Sequence, residues 1–271
     1  MARNYEFLRT EHYIAGLDDR IVFDEDKHAY HVDGQKVPKS VTGFVKQVSD
    51  DHFDGNLIIE KNLASWRAKT TSKYFPIING KNDEEAKAAI LNEWNGAGRL
   101  GTALHRRMEG LLNGMPNVAD NETDSEFATA KAYVAEHMKG LTPLRTELSL
   151  FYERGNGTVP CAGQADALLV NEKNEMVLVD FKRTSKDLTA EAIPFKGKRC
   201  KAPLEGYYAN EHNKYSLQQS MYAVMIEQRL QIPVPHNKRF LLKIPPGGEA
   251  CELIPCACFD AQAKALLEGV V

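Results

Sequence analysis

No apolar run in the chain approaches the length of a membrane span. The opening segment "MARNYEFLRTEHY" lacks the apolar core of a signal peptide, and its Glu residues argue against an organellar transit peptide. The expectation is an intracellular protein (cytoplasm, nucleoid or viral host cell) with no membrane association. Cysteine is scarce and unpatterned. Five residues, Cys161, Cys200, Cys251, Cys256 and Cys258, show no CxxC spacing and have no His-rich partner segment. That excludes the usual structural zinc signatures and points to reduced thiols. Positive charge is not in excess either. A formal net charge of -3 gives no global electrostatic case for nucleic acid, so any such case must rest on local patches. There is no internal repeat and no low-complexity linker. What is present, 271 residues of which 43% are hydrophobic and 26% charged, is enough to bury a sizeable core.

The N-terminal stretch "RIVFDEDKHAYHVDGQKVP" reads as two short alternating strands around an Asp/Glu/Lys turn. "SVTGFVKQV" and "GNLIIEKNLASWRAKTTSKYF" have helical character, with Ser40 as N-cap of the first. Residues 83–94 and 98–113 carry helical spacing. "GMPNVADNETDSEF" is an acidic Gly/Pro-marked loop, with Asp124 or Ser125 capping a helix that runs to about residue 138. From Leu144 the pattern changes to three strand-like runs, "LRTELSLFY", "CAGQADALLV" and "EMVLVDFK". The helix "YSLQQSMYAVMIEQRL" and the strand "KRFLLKI" follow. This order predicts an α/β fold, a mixed sheet flanked by helices, with residues 1–95 as an N-terminal hairpin and helical elaboration on a core at 96–271.

Five polar features fall on these elements. His105 and Glu109 are four residues apart and share a helix face. Glu147 lies in the first of the three strands. Asp166 sits mid-strand among apolar neighbours, where an unpaired carboxylate is costly. Asp180 and Lys182 share a strand face through the period of two, and Gln218 and Tyr222 share a helix face. For Asp166 and Asp180 to point the same way they must be cross-strand partners. That requires a connection of odd length or a bulge, because a loop made of "NEKN" alone would set Asp166 opposite Val179. The same-face arrangement is the one expected. Two carboxylates held together repel unless one keeps a proton or a cation lies between them. With His105 and Glu109 as further ligands, a divalent ion is the economical answer. Oxygen-rich coordination favours Mg²⁺ or Mn²⁺, and the single imidazole suits Mn²⁺ somewhat better. Lys182 beside the ion can orient an attacking water and stabilise a phosphorane-like transition state. Taken singly each feature is commonplace; together, in order and on suitable elements, they are the equipment of phosphodiester hydrolysis.

The pieces "GTALHRRMEG", "AGQAD", "VDFK" and "YSLQQSMY" resemble the PD-(D/E)XK nuclease superfamily, and within it the RecB-like exonuclease branch. Upstream, "YHVDGQKVPKSVTGFVKQ" followed by "SWRAK" is similar to the start of the mitochondrial genome-maintenance exonucleases and related phage proteins, with Lys39 inserted at the Pro-Ser step. The resemblance implies a restriction-endonuclease-like core and names His105, Asp166, Asp180 and the Phe181 carbonyl as metal ligands. Lys182 would be the catalytic lysine. Glu109 would support the His105 helix or bind a second ion, and Gln218 and Tyr222 would position the metal site or the nucleic-acid backbone. Iron–sulfur relatives place a cysteine ahead of the helical His; none precedes Cys161 here, so no iron–sulfur cluster is expected.

A basic stretch follows the Asp-x-Lys strand: Arg183 and Lys186, then Lys196, Lys198, Arg199 and Lys201 in "FKGKRCKAP". Such density suits phosphate contacts, with Phe195, Tyr207 and Tyr208 available to stack on unpaired bases and Arg106 and Arg107 flanking His105. The acidic loop at 117–126 should then lie away from the bound strand. The leading expectation is a metal-dependent DNA exonuclease acting on single strands or ends in replication, repair or recombination, alongside proteins of those processes. The alternatives are an endonuclease for duplex or branched DNA or for RNA, and an inactive scaffold that only binds.

Overall fold

The computed structural model describes residues 4–50, 53–115 and 121–270. Helix α1 (Phe7–Glu11) precedes a small antiparallel sheet of β1 (Ile21–Asp24), β2 (Ala29–Val32) and β3 (Gln35–Lys36). β4 (Lys39–Ser40) leads into α2 (Val41–Ser49), where the Ser40 hydroxyl caps the helix by accepting from the Gly43 N–H at 3.1 Å. Helices α3 (Gly55–Ala68), α4 (Phe75–Ile78), α5 (Asp83–Leu112) and α6 (Asp124–His137) follow. β5 (Thr142–Tyr152), β6 (Cys161–Val170), β7 (Met176–Arg183), α7 (Glu211–Leu230), β8 (Arg239–Ile244), β9 (Glu252–Pro255) and α8 (Asp260–Glu268) complete the order.

The architecture is α/β, a mixed six-stranded sheet flanked by helices. β5, β7 and β4 all pair with β6; β8 pairs with β7 and β9 with β8. One face buries Leu148, Leu150, Leu168 and Leu178 against Leu217, Met221 and Met225 of α7 and Leu267 of α8. The other buries Val177, Val179, Phe181 and Leu242 against Leu104 and Met108 of α5 and Phe127 of α6. Burial on both faces is why β6 and β7 read as nearly continuous apolar runs.

The chain divides into two compact units, residues 1–50 with 104–271, and residues 51–103. The expected boundary at residue 95 is therefore corrected. Ile21, Val32, Val41 and Val45 are buried in the same cluster as the sheet and α7, so the hairpin and α2 are part of the core. The second unit has its own small core of Ile59, Leu63, Ile78, Ala86 and Ile90. The helices expected at 83–94 and 98–113 are one helix, α5. Gly96, Gly98 and Gly101 lie inside it, each with open space where a side chain would be. At α6 neither Asp124 nor Ser125 is the cap: Thr123 holds that position, and the Asp124 carboxylate accepts from Arg107 at 2.8 Å. Residues 116–120 of the acidic loop lie outside the described residues.

β5 lines one edge of β6 from Cys161 to Val170. β7 and β4 must therefore share the other edge. β7 takes residues 167–170, in antiparallel register with Ala167 opposite Val179, and β4 takes Cys161 and Ala162 in parallel. Between them the ladder is open at residues 163–166, so the sheet forks. The connection from β6 to β7 spans residues 171–175, an odd length, and continuing its register sets Asp166 opposite Asp180. The same-face expectation therefore holds in register.

Candidate active site

The fork is where the polar residues gather. Asp166 is the first β6 residue past the last paired position, and its carboxylate fills in for the missing ladder: Oδ2 accepts from the Phe181 N–H at 2.8 Å. In an extended strand the N–H and C=O of one residue face the same edge, so the Phe181 carbonyl also faces the fork. The Phe181 ring points to the α5 side and meets the His105 ring edge-on, with centroids 6.0 Å apart. His105 Nδ1 lies 3.4 Å from Asp166 Oδ2.

Asp180 is fully buried. Its Oδ1 accepts from Gln218 Nε2 at 3.2 Å, and Lys182 Nζ stands 2.5 Å from Oδ2. That ammonium is the Oδ2 partner, a charge-assisted contact inside a buried setting. Burial holds the Asp180 carboxyl above its ordinary range; Lys182 opposes the rise and Asp166 adds to it. Burial also works against the Lys182 ammonium, but Asp180 and Asp166 outweigh it and keep the lysine firmly charged.

Glu147 completes the group. One ligand atom each from His105, Glu147 and Asp166 can be chosen so that all lie within 4.8 Å of one another. Glu147 stands opposite Asp166 in β5, between the paired positions Thr146 and Leu148, and its own pairing is missing because its backbone is left-handed at φ +45°. A non-glycine residue in that region costs about 1–2 kcal/mol. Burial, then the nearby Asp166, Glu109 and Asp180, push its carboxyl up to about 8. The sequence placed Glu147 in the strand but gave it no role. Its signal was present, a charged residue inside "LRTELSLFY" one strand away from Asp166, but the register that makes them neighbours depends on an irregularity near Leu144.

The remaining site candidates are placed as follows. Glu109 is not in the ligand group; burial pushes its carboxyl up to about 7, and it acts on Glu147 through the electrostatic field. Gln218 and Tyr222 are buried; Gln218 donates to Asp180 and reaches the Tyr222 hydroxyl at 3.5 Å, which suits the first of their two expected roles, positioning the metal site, better than contact with a nucleic-acid backbone. A Cβ at Gly163 would lie 2.9 Å from Val41 Cγ2 and 3.0 Å from Tyr222 Cε1, so the glycine of "AGQAD" is what lets α2 and α7 close over the fork.

Much of the basic stretch is engaged within the protein. Arg183 points away from Lys182 and forms a buried pair with Glu126, at 2.7 and 2.8 Å, so it is withdrawn as a phosphate contact. Lys186 pairs with Glu211, Lys198 and Lys201 with Asp50, and Arg199 packs 3.9 Å over the Tyr208 ring. Arg106 packs over the Tyr5 ring, and Arg107 is buried beside Asp124. Lys196 and Phe195 are exposed together at a turn, with Phe195 85% accessible, and Ile193 and Tyr207 are also exposed.

No family model and no curated protein matches the chain. Among solved structures, one described as "Crystal structure of SSO0001" aligns at 16% identity and a TM-score of 0.28, over 62% of this chain and 82% of that one. A likeness at that level says nothing about the site, whose reading rests on its own geometry. All five cysteines are free thiols, and no helix among the described residues is long and apolar enough to cross a membrane.

Proposed function

We propose that the chain is a metal-dependent nuclease with a restriction-endonuclease-like core, hydrolysing phosphodiester bonds in DNA, with single strands or ends as substrate. The observation that carries the reading is the convergence at the fork. Three ligand-bearing side chains, His105, Glu147 and Asp166, come within 4.8 Å of one another beside a fully buried Asp180 paired with Lys182.

The donor set fits Mg²⁺ or Mn²⁺. Carboxylate oxygens and one imidazole nitrogen are hard-to-borderline ligands, and the set lacks the thiolates that would select zinc or an iron–sulfur cluster. Three carboxyls held above their ordinary range, those of Glu109, Glu147 and Asp180, are what a site built around a cation looks like without one. His105, Asp166, Asp180, Glu147 and the Phe181 carbonyl would hold the ion. When bound it would act as a Lewis acid on the phosphoryl oxygens and lower the pKa of a ligated water.

The chain's own groups do the rest. The Phe181 N–H fixes Asp166, and Gln218 fixes Asp180. Lys182 is a permanent cation in a largely buried setting, able to orient a water and to meet the charge that builds on the phosphorane. The exposed Phe195 and Lys196 at the turn beyond β7 suit a base face and a phosphate of an unpaired strand.

The test uses end-labelled single- and double-stranded DNA and RNA, with Mg²⁺, Mn²⁺ or a chelator. Metal-dependent loss of single-stranded or end-bearing DNA is expected, with Lys182→Ala at least ~100-fold slower. A Lys182→Ala protein that cuts as fast as its parent defeats the mechanism. Cutting of closed circular DNA replaces the exonuclease reading with an endonuclease.

A further inference from the structure

Lys182 Nζ has a second partner besides Asp180. It lies over the face of the Tyr215 ring, 4.5 Å from the centroid. The two contacts differ in kind. Asp180 is a candidate metal ligand, and lone pairs given to a cation are not available to an ammonium. A ring face binds a cation through its quadrupole and is not consumed in this way.

Tyr215 is itself held on several sides. Its ring packs against the buried cluster of Leu188, from the segment after β7, Leu241 of β8 and Cys256 just past β9. Its hydroxyl hydrogen-bonds the Glu211 carboxylate one helical turn earlier on α7. Glu211 in turn takes the ammonium of Lys186 at 2.9 Å, with Lys214 at 3.6 Å. Lys186 lies four residues beyond Lys182, so this chain of contacts ties the exit of β7 to the first turns of α7. The motif residues Gln218 and Tyr222 belong to the same helix but support Asp180.

We propose that Tyr215, braced by Glu211, is the positioning residue of Lys182: its ring face is the seat on which the ammonium rests when Asp180 is engaged elsewhere. The proposal rests on the reading of Lys182 as the catalytic lysine of a nuclease. It requires an aromatic face at position 215 and no chemistry from the hydroxyl, whose part is to fix the ring against Glu211.

The experiment measures kcat and KM for single-stranded DNA with Mg²⁺ in five forms of the full chain: parent, Tyr215→Phe, Tyr215→Leu, Lys182→Ala and the Lys182→Ala, Tyr215→Leu double variant. Tyr215→Leu should lower kcat about 5- to 30-fold, the rate equivalent of a desolvated cation–π contact, with KM and Mn²⁺ affinity by calorimetry unchanged. Tyr215→Phe should stay within about threefold of the parent, because the ring remains. In the Lys182→Ala background Tyr215→Leu should have no further effect. Mono-, di- and trifluorophenylalanine at position 215 should lower log kcat progressively as the ring face loses negative charge at nearly constant size. This series keeps the test decisive where the leucine variant does not fold. A flat fluorination series, or a folded leucine variant as fast as the parent while Lys182→Ala is inactive, overturns the positioning role and leaves the nuclease reading standing. An active Lys182→Ala protein overturns the nuclease reading instead.

Discussion

Removing the charge of Glu147 without changing its shape isolates the physical claim on which the site rests. Glu147→Gln keeps the side-chain length and bears the same left-handed backbone cost, so that cost cancels between the two proteins. What changes is a carboxyl whose folded-state pKa is pushed up to about 8, from an ordinary value of 4.5, by burial and by Asp166, Glu109 and Asp180. A folded pKa above the unfolded one means the group's favourable contribution is full below pH 4.5 and is lost as pH rises through about 8. At pH 7 this linkage amounts to roughly 3 kcal/mol of destabilisation in the metal-free parent. The amide of the variant is not free of cost either, at about 1–2 kcal/mol for a polar group buried without a designed partner.

The metal-free variant should therefore be more stable than its parent by about 1–2 kcal/mol at pH 7, roughly 3–6 °C in Tm for a chain of this size. The gap should widen toward pH 8 and close or reverse at pH 5. Thermal and urea unfolding with a chelator, read at each pH, measure it. Added Mn²⁺ should reverse the order, because a cation stabilises the parent in proportion to its affinity and the variant has lost a ligand. A parent-to-variant difference that is constant from pH 5 to pH 8 would refute the crowded-carboxylate account. So would a variant that is the less stable protein at pH 8.

Gly163→Ala should cost about 1–3 kcal/mol, since the new methyl meets Val41 and Tyr222, both deeply buried, at 2.9 and 3.0 Å. Urea unfolding checks it, and a variant as stable as the parent would mean α2 and α7 have room to move. Arg183→Met should destabilise the fold by about 3–5 kcal/mol, because it strands Glu126 in a buried setting with the Gly247 N–H as its remaining partner among the described residues. It should leave the salt dependence of DNA binding unchanged, whereas Lys196→Glu should weaken binding and flatten that dependence. Equilibrium binding over a salt series separates the two.

The basic stretch shows where reading charge from sequence stops. Arg183 and Lys182 are adjacent, yet strand alternation sends one to Glu126 on the α6 side and the other to Asp180 and Tyr215 on the α7 side. Periodicity makes the opposite facing legible, but not the presence of a buried glutamate to receive the arginine. Lys198 and Lys201 meet Asp50, about 150 positions away in the chain, a pairing no local pattern encodes. By contrast, β5 to β8, α2 with its Ser40 cap and α7 follow from patterns of two, of 3.6 and of capping, all of which are local. β4, with two residues, is too short to carry such a period, and the "ELIP" of β9 does not alternate.

The site itself divides along the same line. Asp166, Asp180 and Lys182 could be read because each relation needs only a strand period and an odd connection length. Glu147 has an equally ordinary position in its strand, but its role depends on three things that are not periodic. β5 must take the edge of β6 that β7 and β4 leave free, the ladder must shift by one residue near Leu144, and the backbone at Glu147 must turn left-handed. Without the shift, Asp166 would face Thr146 instead. The φ of +45° interrupts the β5 ladder only at the position opposite Asp166, beside the stretch where β6 has no partner on its other edge. A strand that gives up its own pairing at Glu147, within the stretch where the ladder on the other edge of β6 is open, is arranged around what sits there. The arrangement brings the Glu147 carboxylate, the Asp166 carboxylate and the His105 imidazole together, at a cost in backbone strain and charge repulsion that a bound cation would offset.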